Sequence, residues 1–299
     1  MLGTNRLRVK VMNAIKILFL FIIYLFPIHT FSQSDESFYQ QITRAVIRLE
    51  DVSSGKPVGT AFFVSNKSDS TYYYLVTARH IVESNRVLRA RVPSQRLDNS
   101  QTEVIELRLP KDIWIYHPIG LRTIDMENKK EDIFPIDIAV TKLPGILDRR
   151  IRTIGYDKND NKKTQISNER VDPPTQIIVW GFPGDLGFSL EEQRPLGRIG
   201  IVAMSANKPF IRTEFTTNVY LLRDKQVLLI DAPILPGNSG SPVLDFTPFS
   251  GKIKLIGLIS ATNVKNSFAV VEPSTRIIEA LENAFSIDQK VMGSWHSIE

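Results

Sequence analysis

The chain has 299 residues, 42% of them hydrophobic, no cysteine, and a formal net charge of +5 from 37 basic and 32 acidic residues. That length and apolar content suffice for one or two substantial cores, and the absence of cysteine excludes disulfides, metal thiolates and a thiol nucleophile together. The positive balance marks no nucleic-acid partner: Arg6, Arg8, Lys10 and Lys16 fall in residues 1–32 with no acid, which leaves 33 basic against 32 acidic residues beyond them.

Those first 32 residues read as a signal peptide. Lys16 precedes an apolar run over 17–28 that is too short to span a bilayer comfortably, and the small residues Thr30 and Ser32 follow it. Cleavage is expected after Ser32, with Met12 as an alternative start that gives a more compact leader. A cleaved leader makes the protein periplasmic or secreted; an uncleaved one anchors it to a membrane through residues 17–28. An exported protein without cysteine fits a bacterial envelope better than an animal secretion.

Downstream, short β-branched runs alternate with glycine, proline and polar turns, with no repeat and no helix-rich half. Residues 42–50 read as a first strand or a short helix. Strands are expected over 58–65, 72–78, 103–109, 113–116 and 136–143, within a first β domain over 38–155. Residues 83–135 carry Arg86, Arg89, Arg91 and Arg96, are longer than a minimal barrel needs, and read as a solvated loop. Residues 156–174 are polar, too poor in apolar side chains to pack, and read as a linker. A second β domain is expected over 175–272. Beyond Pro273, Ile277, Ile278, Leu281, Ala284 and Phe285 recur at helical spacing, with Ser274 or Thr275 as cap, so a helix over 273–287 is expected.

The chemistry concentrates in Leu235-Pro236-Gly237-Asn238-Ser239-Gly240-Ser241-Pro242-Val243. Gly237 and Gly240 let the backbone turn tightly around Ser239, which exposes its hydroxyl and aims the N–H groups of Gly237 and Ser239 at one point. The same residues also make a good surface turn. A serine hydroxyl attacks a carbonyl at neutral pH only with a histidine base and a carboxylate to orient it. Of the four histidines, His29 lies in the leader, His296 in the tail and His117 in Tyr116-His117-Pro118, whereas His80 ends the run Tyr74-Leu75-Val76-Thr77-Ala78-Arg79-His80 and is the candidate base. Asp137, a lone acid in Phe134-Pro135-Ile136-Asp137-Ile138-Ala139-Val140, is costly to bury without a donor such as an imidazole N–H. Asp132, among Lys129, Lys130 and Glu131, is the runner-up.

Taken in order, Gly59-Thr60-Ala61-Phe62-Phe63-Val64, Leu75-Val76-Thr77-Ala78-Arg79-His80, Asp137-Ile138-Ala139-Val140 and Pro236-Gly237-Asn238-Ser239-Gly240-Ser241-Pro242 resemble the chymotrypsin/trypsin-like serine peptidases. The likeness covers residues 42 to 285 and is nearest to the bacterial branch that includes the high-temperature-requirement periplasmic proteases. Ile178-Val179-Trp180-Gly181-Phe182-Pro183-Gly184, Gly197-Arg198-Ile199-Gly200-Ile201-Val202 and Ile256-Gly257-Leu258-Ile259-Ser260 resemble that family's second-barrel blocks.

The resemblance implies an all-β fold of two six-stranded antiparallel β-barrels, an active site in the cleft between them, and a C-terminal helix. It also implies a serine endopeptidase with catalytic His80, Asp137 and Ser239 and an oxyanion hole of Gly237 and Ser239, acting on a peptide or protein substrate without metal or cofactor. Three departures stand out. Arg79 occupies the place of a small residue, Ser241 that of a second glycine, and Asn238 that of the acid which pairs with a newly cut N-terminus in zymogen-activated animal enzymes.

By the same resemblance, Pro233, Ser260, Ala261 and Thr262 line the pocket for the residue before the scissile bond. No acid stands at its base, Asp231 being two residues away, so Lys or Arg is disfavoured and a small or medium apolar side chain is expected. The branch's appended peptide-binding domain is not expected here. Two other classes remain: a non-catalytic binding module on the same fold, and a lipase or esterase, whose Gly-x-Ser-x-Gly elbow lacks its final glycine at Ser241.

Overall fold

The computed structural model describes residues 42–85, 87–95, 102–118, 120–125, 131–144, 152–161, 164–184, 194–206, 210–213, 219–222, 227–246, 253–263 and 268–287. The leader, its cleavage position, the apolar run 17–28, His29 and His296 lie outside them. Residues 42–45 form one helical turn that runs directly into a strand, so both readings of 42–50 apply in succession.

The first half contributes β1 (Val46–Asp51), β2 (Pro57–Asn66), β3 (Asp69–Thr77), a short helix α1 (Arg79–Ser84), β4 (Val87–Gln95), β5 (Thr102–Pro110), β6 (Ile115–Tyr116), β7 (Gly120–Asp125), β8 (Glu131–Pro135), β9 (Ala139–Pro144) and β10 (Ile154–Tyr156). Eight of these form one sheet in the order β5-β4-β1-β2-β3-β9-β6, with β10 beside β2. Among the described residues this half is an eight-stranded half-barrel sheet rather than a closed six-stranded barrel, and with the closed barrel of the second half it makes the expected all-β double-barrel fold. The extra strand has a simple origin: β1 pairs with β2 only as far as Phe62, and β10 takes the same edge in parallel over Val64 to Asn66.

Within residues 83–135, expected as a solvated loop, β4 and β5 form a long hairpin that widens the sheet. Its arginines gather on Glu50, whose side chain is 3% exposed: Arg89 donates to Glu50 Oε2 at 2.9 and 2.7 Å, Arg91 lies 3.7 Å away, and Arg48 bonds the other oxygen. Of the remaining strands of this segment, β6 pairs with β9 at the edge of the first sheet, and β7 and β8 join a hairpin of the second half in a separate four-stranded sheet.

The second half contributes β11 (Gln176–Gly181), β12 (Leu196–Ala206), β13 (Phe210–Thr213), β14 (Val219–Leu222), β15 (Val227–Asp231), β16 (Pro242–Asp245), β17 (Lys254–Asn263), β18 (Phe268–Pro273) and the helix α2 (Ser274–Ser286). Strands β11-β12-β15-β18-β17-β16 close into a six-stranded barrel, as expected, and β13 and β14 complete the four-stranded sheet.

The period of two along β11 divides its side chains between two cores. Ile177 and Val179 point into the closed barrel with Val202, Ile230, Val243, Ile256, Ile259 and Val271. Ile178, together with Phe182, Leu244, Leu255 and Leu258, packs against the first half's Phe62, Phe63, Leu75 and Val76. One face of the second barrel is thus the floor of the first half's core.

Residues 156–174 are not a free linker. Thr164, Ile166 and Ser167 are buried, Gln165 exchanges bonds with Gly155 at 2.6 and 2.7 Å, and Leu255 and Ser167 donate to the carbonyls of Gln165 and Leu255 at 2.8 Å each. Backbone pairing together with buried Tyr156 and Ile166 anchors a segment whose composition is polar.

Helix α2 buries Ile277, Ala280, Leu281 and Ala284 in the first core. Its cap differs from expectation: Pro273 is the N-cap, and the Ser274 hydroxyl donates to Ser167 O at 2.5 Å. Phe285 meets Tyr74 edge-on at 4.6 Å, and buried His117 pairs with Glu279 at 3.0 Å. Since Leu281 is fully buried, Leu281→Ala is expected to lower the unfolding free energy by about 2–5 kcal/mol, measured by urea denaturation.

Candidate active site

His80 sits in the first turn of α1, just past the end of β3, and Asp137 in the short bend before β9. Because β3 and β9 pair with Thr77 opposite Ala139, the residues that follow one strand and precede the other come out at the same end. The two side chains meet there: His80 Nδ1 lies 2.8 Å from Asp137 Oδ2, and the His80 backbone N–H donates to Oδ1 at 2.9 Å. Ser260 on β17 donates its hydroxyl to Oδ2 at 2.7 Å. The runner-up Asp132 lies within β8.

Burial on its own pushes the Asp137 carboxyl up, but the hydrogen bond and charge of His80, the Ser260 hydroxyl and the His80 N–H outweigh it and hold the carboxyl below its usual range. For the His80 imidazole, burial acts downward, and the hydrogen bond and charge of Asp137, with the charge of Glu83, override it and keep the group above its ordinary value. Arg79 does not intrude on this pair. Its guanidinium bonds Glu83 at 2.8 Å and stacks 4.5 Å over the Tyr116 ring.

The loop bearing Ser239 is built from its glycines. Gly237 and Gly240 have φ of +92° and +84°, values that side-chain-bearing residues rarely adopt. A Cβ on Gly240 would stand 2.1 Å from Thr60 O and 3.1 Å from Ala78 N, so the loop lies directly against β2 and the start of α1, two residues from His80. Thr60 N donates to Ser239 O at 2.9 Å, and the Thr60 hydroxyl donates to Gly237 O at 2.9 Å while accepting Phe182 N at 3.0 Å.

Within the loop, Asn238 N donates to Leu235 O at 3.1 Å and Gly240 N to Ile259 O at 2.7 Å. The N–H groups of Gly237 and Ser239, which alternate with these two, donate to none of the described residues, and the Ser239 hydroxyl makes no hydrogen bond among them. Two donors spaced one residue apart and left open beside a hydroxyl suit an acyl oxygen that carries negative charge.

The side chains that depart from the family pattern at 238 and 241 lie beneath the loop, where Asn238 Nδ2 and Ser241 Oγ have no hydrogen-bond partner among the described residues. Both side chains are buried, and a Cβ on Gly181 would fall 1.9 Å from Ser241 Oγ and 2.5 Å from Asn238 Oδ1. Glycine at 181 is what leaves room for serine at 241.

A family model, that of the trypsin-like peptidase domain, matches residues 59–248, more than half of the chain. The chain belongs to that family. It is a serine endopeptidase. No curated protein sequence matches this peptidase.

Among solved structures it is similar to Rv3671c of Mycobacterium tuberculosis in an inactive form, at 12% identity over 83% of this chain and 91% of that one, with a TM-score of 0.47. It is likewise similar to the MamO protease domain of Magnetospirillum magneticum, at 15% identity over 84% and 100%, TM-score 0.47. The HtrA-type protease AlgW, solved with a decapeptide, aligns at 14% identity over 82% and 66%, TM-score 0.46.

Of the residues expected to line the substrate pocket, Ser260 directs its hydroxyl at Asp137, whereas Ala261 and Thr262 are half-buried and Pro233 is exposed. The sequence reading did not find the Ser260 donor role or Thr60, the buried threonine through which the loop reaches the first half. Thr60→Val removes both side-chain bonds while keeping shape, so it is expected to cost roughly 1–3 kcal/mol in unfolding free energy and to slow peptide hydrolysis, as read by urea melts and turnover on one sample.

Proposed function

We propose that this peptidase is exported and cleaves peptide bonds through an acyl-enzyme, with Ser239 as nucleophile, His80 as base and Asp137 as the acid that orients it. The observation that carries the reading is the His80–Asp137 bond of 2.8 Å beside a loop whose Gly237 and Ser239 amides are open.

Ser239 Oγ attacks the substrate carbonyl carbon and its proton passes to His80 Nε2. Asp137, bonded to Nδ1, keeps that ring in the tautomer with Nε2 free and stabilises the imidazolium. The carbonyl oxygen, now negative, is received by the N–H groups of Gly237 and Ser239, each worth about 3 kcal/mol in serine peptidases. His80 returns the proton to the leaving amine, and water then hydrolyses the ester by the same route in reverse. Ala261, Thr262 and Pro233 form the wall and base of the pocket, which favours small or medium apolar side chains over Lys or Arg. The leader carries the protein to the bacterial envelope, where its substrates are peptides or proteins.

Ser239→Ala is expected to abolish both peptide cleavage and labelling by a fluorophosphonate, while undiminished labelling of that variant would remove Ser239 from the mechanism. The raised imidazole gives a second expectation. Only the neutral ring accepts the serine proton, so kcat/KM is expected to fall as pH drops through a midpoint above about 6.5. With Asp137→Asn the two influences of Asp137 disappear and only the Glu83 charge still opposes burial, so the midpoint moves down while kcat drops roughly 10⁴-fold; a pH profile of both proteins reads the two effects together.

A further inference from the structure

Behind the His80–Asp137 pair the structure buries a second acid that no motif explains. Glu272 on β18 is 0% exposed, and a carboxylate withdrawn from water needs donors around it. Its neighbours Ala269 and Val271 lie in the core of the closed barrel. By strand alternation Glu272 faces the other way, toward the first half. Its cross-strand partner Leu258 belongs to the core that the first half shares. On this side Glu272 Oε1 accepts the backbone N–H of Asp137 at 3.4 Å.

The loop at Asp137 is tightly wound. Ile138 N–H donates to Ile136 O at 2.9 Å and His117 N–H to Ile138 O at 3.2 Å. The Asp137 N–H is taken up by Glu272 alone among the described residues. The acid belongs to the first half, yet two neighbouring strands of the second barrel hold it, β17 by its carboxylate through Ser260 and β18 by its backbone through Glu272. An apolar residue at 272 would fill the space without the desolvation that a carboxylate suffers there, so a packing role alone does not account for a glutamate.

We propose that Glu272 is a positioning residue: by accepting the Asp137 N–H it fixes the loop that presents the Asp137 carboxylate to His80. This rests on the reading of His80 and Asp137 as base and orienting acid. Glu272 bonds the backbone N–H of Asp137 whereas His80 bonds its carboxylate, so loss of the tether acts on the chemical step and leaves substrate binding unchanged.

The test compares the full-length protein with its Glu272→Gln, Glu272→Leu and Glu272→Asp variants in peptide hydrolysis and in the downfield proton resonance of His80 Nδ1–H. Glu272→Gln keeps an acceptor oxygen and is expected to stay within about threefold of the parent kcat, with the resonance in place. Glu272→Leu removes the acceptor and is expected to lose roughly ten- to a hundredfold in kcat at unchanged KM, with the resonance shifted or broadened. Should the leucine variant fail to fold, Glu272→Asp, whose acceptor is withdrawn by one methylene, carries the same expectation.

A folded acceptor-less variant with parental kcat and an unmoved resonance overturns the proposal. So does a loss confined to KM, or a glutamine variant as impaired as the leucine one. If the parent protein itself neither hydrolyses peptide nor takes a fluorophosphonate, it is the assignment of Ser239 that fails, and the resonance then decides the role of Glu272 by itself.

Discussion

Thr60 is where the two halves are locked in register. Its backbone N–H and its hydroxyl both reach the loop at 237–240, and the hydroxyl also receives the N–H of Phe182, so one buried residue of β2 ties together three points of the second half. The hydrogen bond from Thr77 Oγ1 to Thr60 O at 2.7 Å extends the tie to the strand that leads into His80. Buried polar groups hold such an arrangement only when each finds a partner, and here the partners lie in different halves. The relative placement of serine and histidine is therefore a consequence of satisfying this seam.

The seam also explains how the acid is held. In the proposed mechanism a carboxylate that orients an imidazole has to stay ionised while largely removed from water, a state that burial opposes. Asp137 achieves it with donors from both sides: the ring and N–H of His80 from the first half, and the Ser260 hydroxyl from the second. The apolar contacts of the seam, with Leu244, Leu255 and Leu258 packed into the first core, hold the two halves together around those bonds. Packing and chemistry here rest on one interface.

Much of this was legible in the chain because particular residue types were required. Glycine at positive φ around Ser239, a histidine after the apolar run of β3 and a lone acid before β9 each leave a local signature, and the 3.6-residue spacing of α2 is equally local. Long-range pairing leaves none. The docking of β10 on β2, the packing of the polar segment at 164–167 against β17, and the collection of Arg89 and Arg91 by Glu50 depend on partners dozens of residues away. Length read as a loop, or polarity read as a linker, misleads wherever backbone hydrogen bonds rather than apolar side chains do the anchoring. Glu272 carries the same mark that singled out Asp137, an acid within an apolar strand, but no motif surrounds it.

The account turns on the convergence of Ser239 with His80 and the open amides at Gly237 and Ser239. A crystal structure of the protein after reaction with a phosphonate inhibitor tests it most directly. The account predicts phosphorus bonded to Ser239 Oγ, one phosphoryl oxygen about 3 Å from both N–H groups, and His80 Nε2 within hydrogen-bonding reach of the adduct. An adduct on Ser241 or another residue, or one whose phosphoryl oxygen points away from those amides with His80 out of reach, would contradict it.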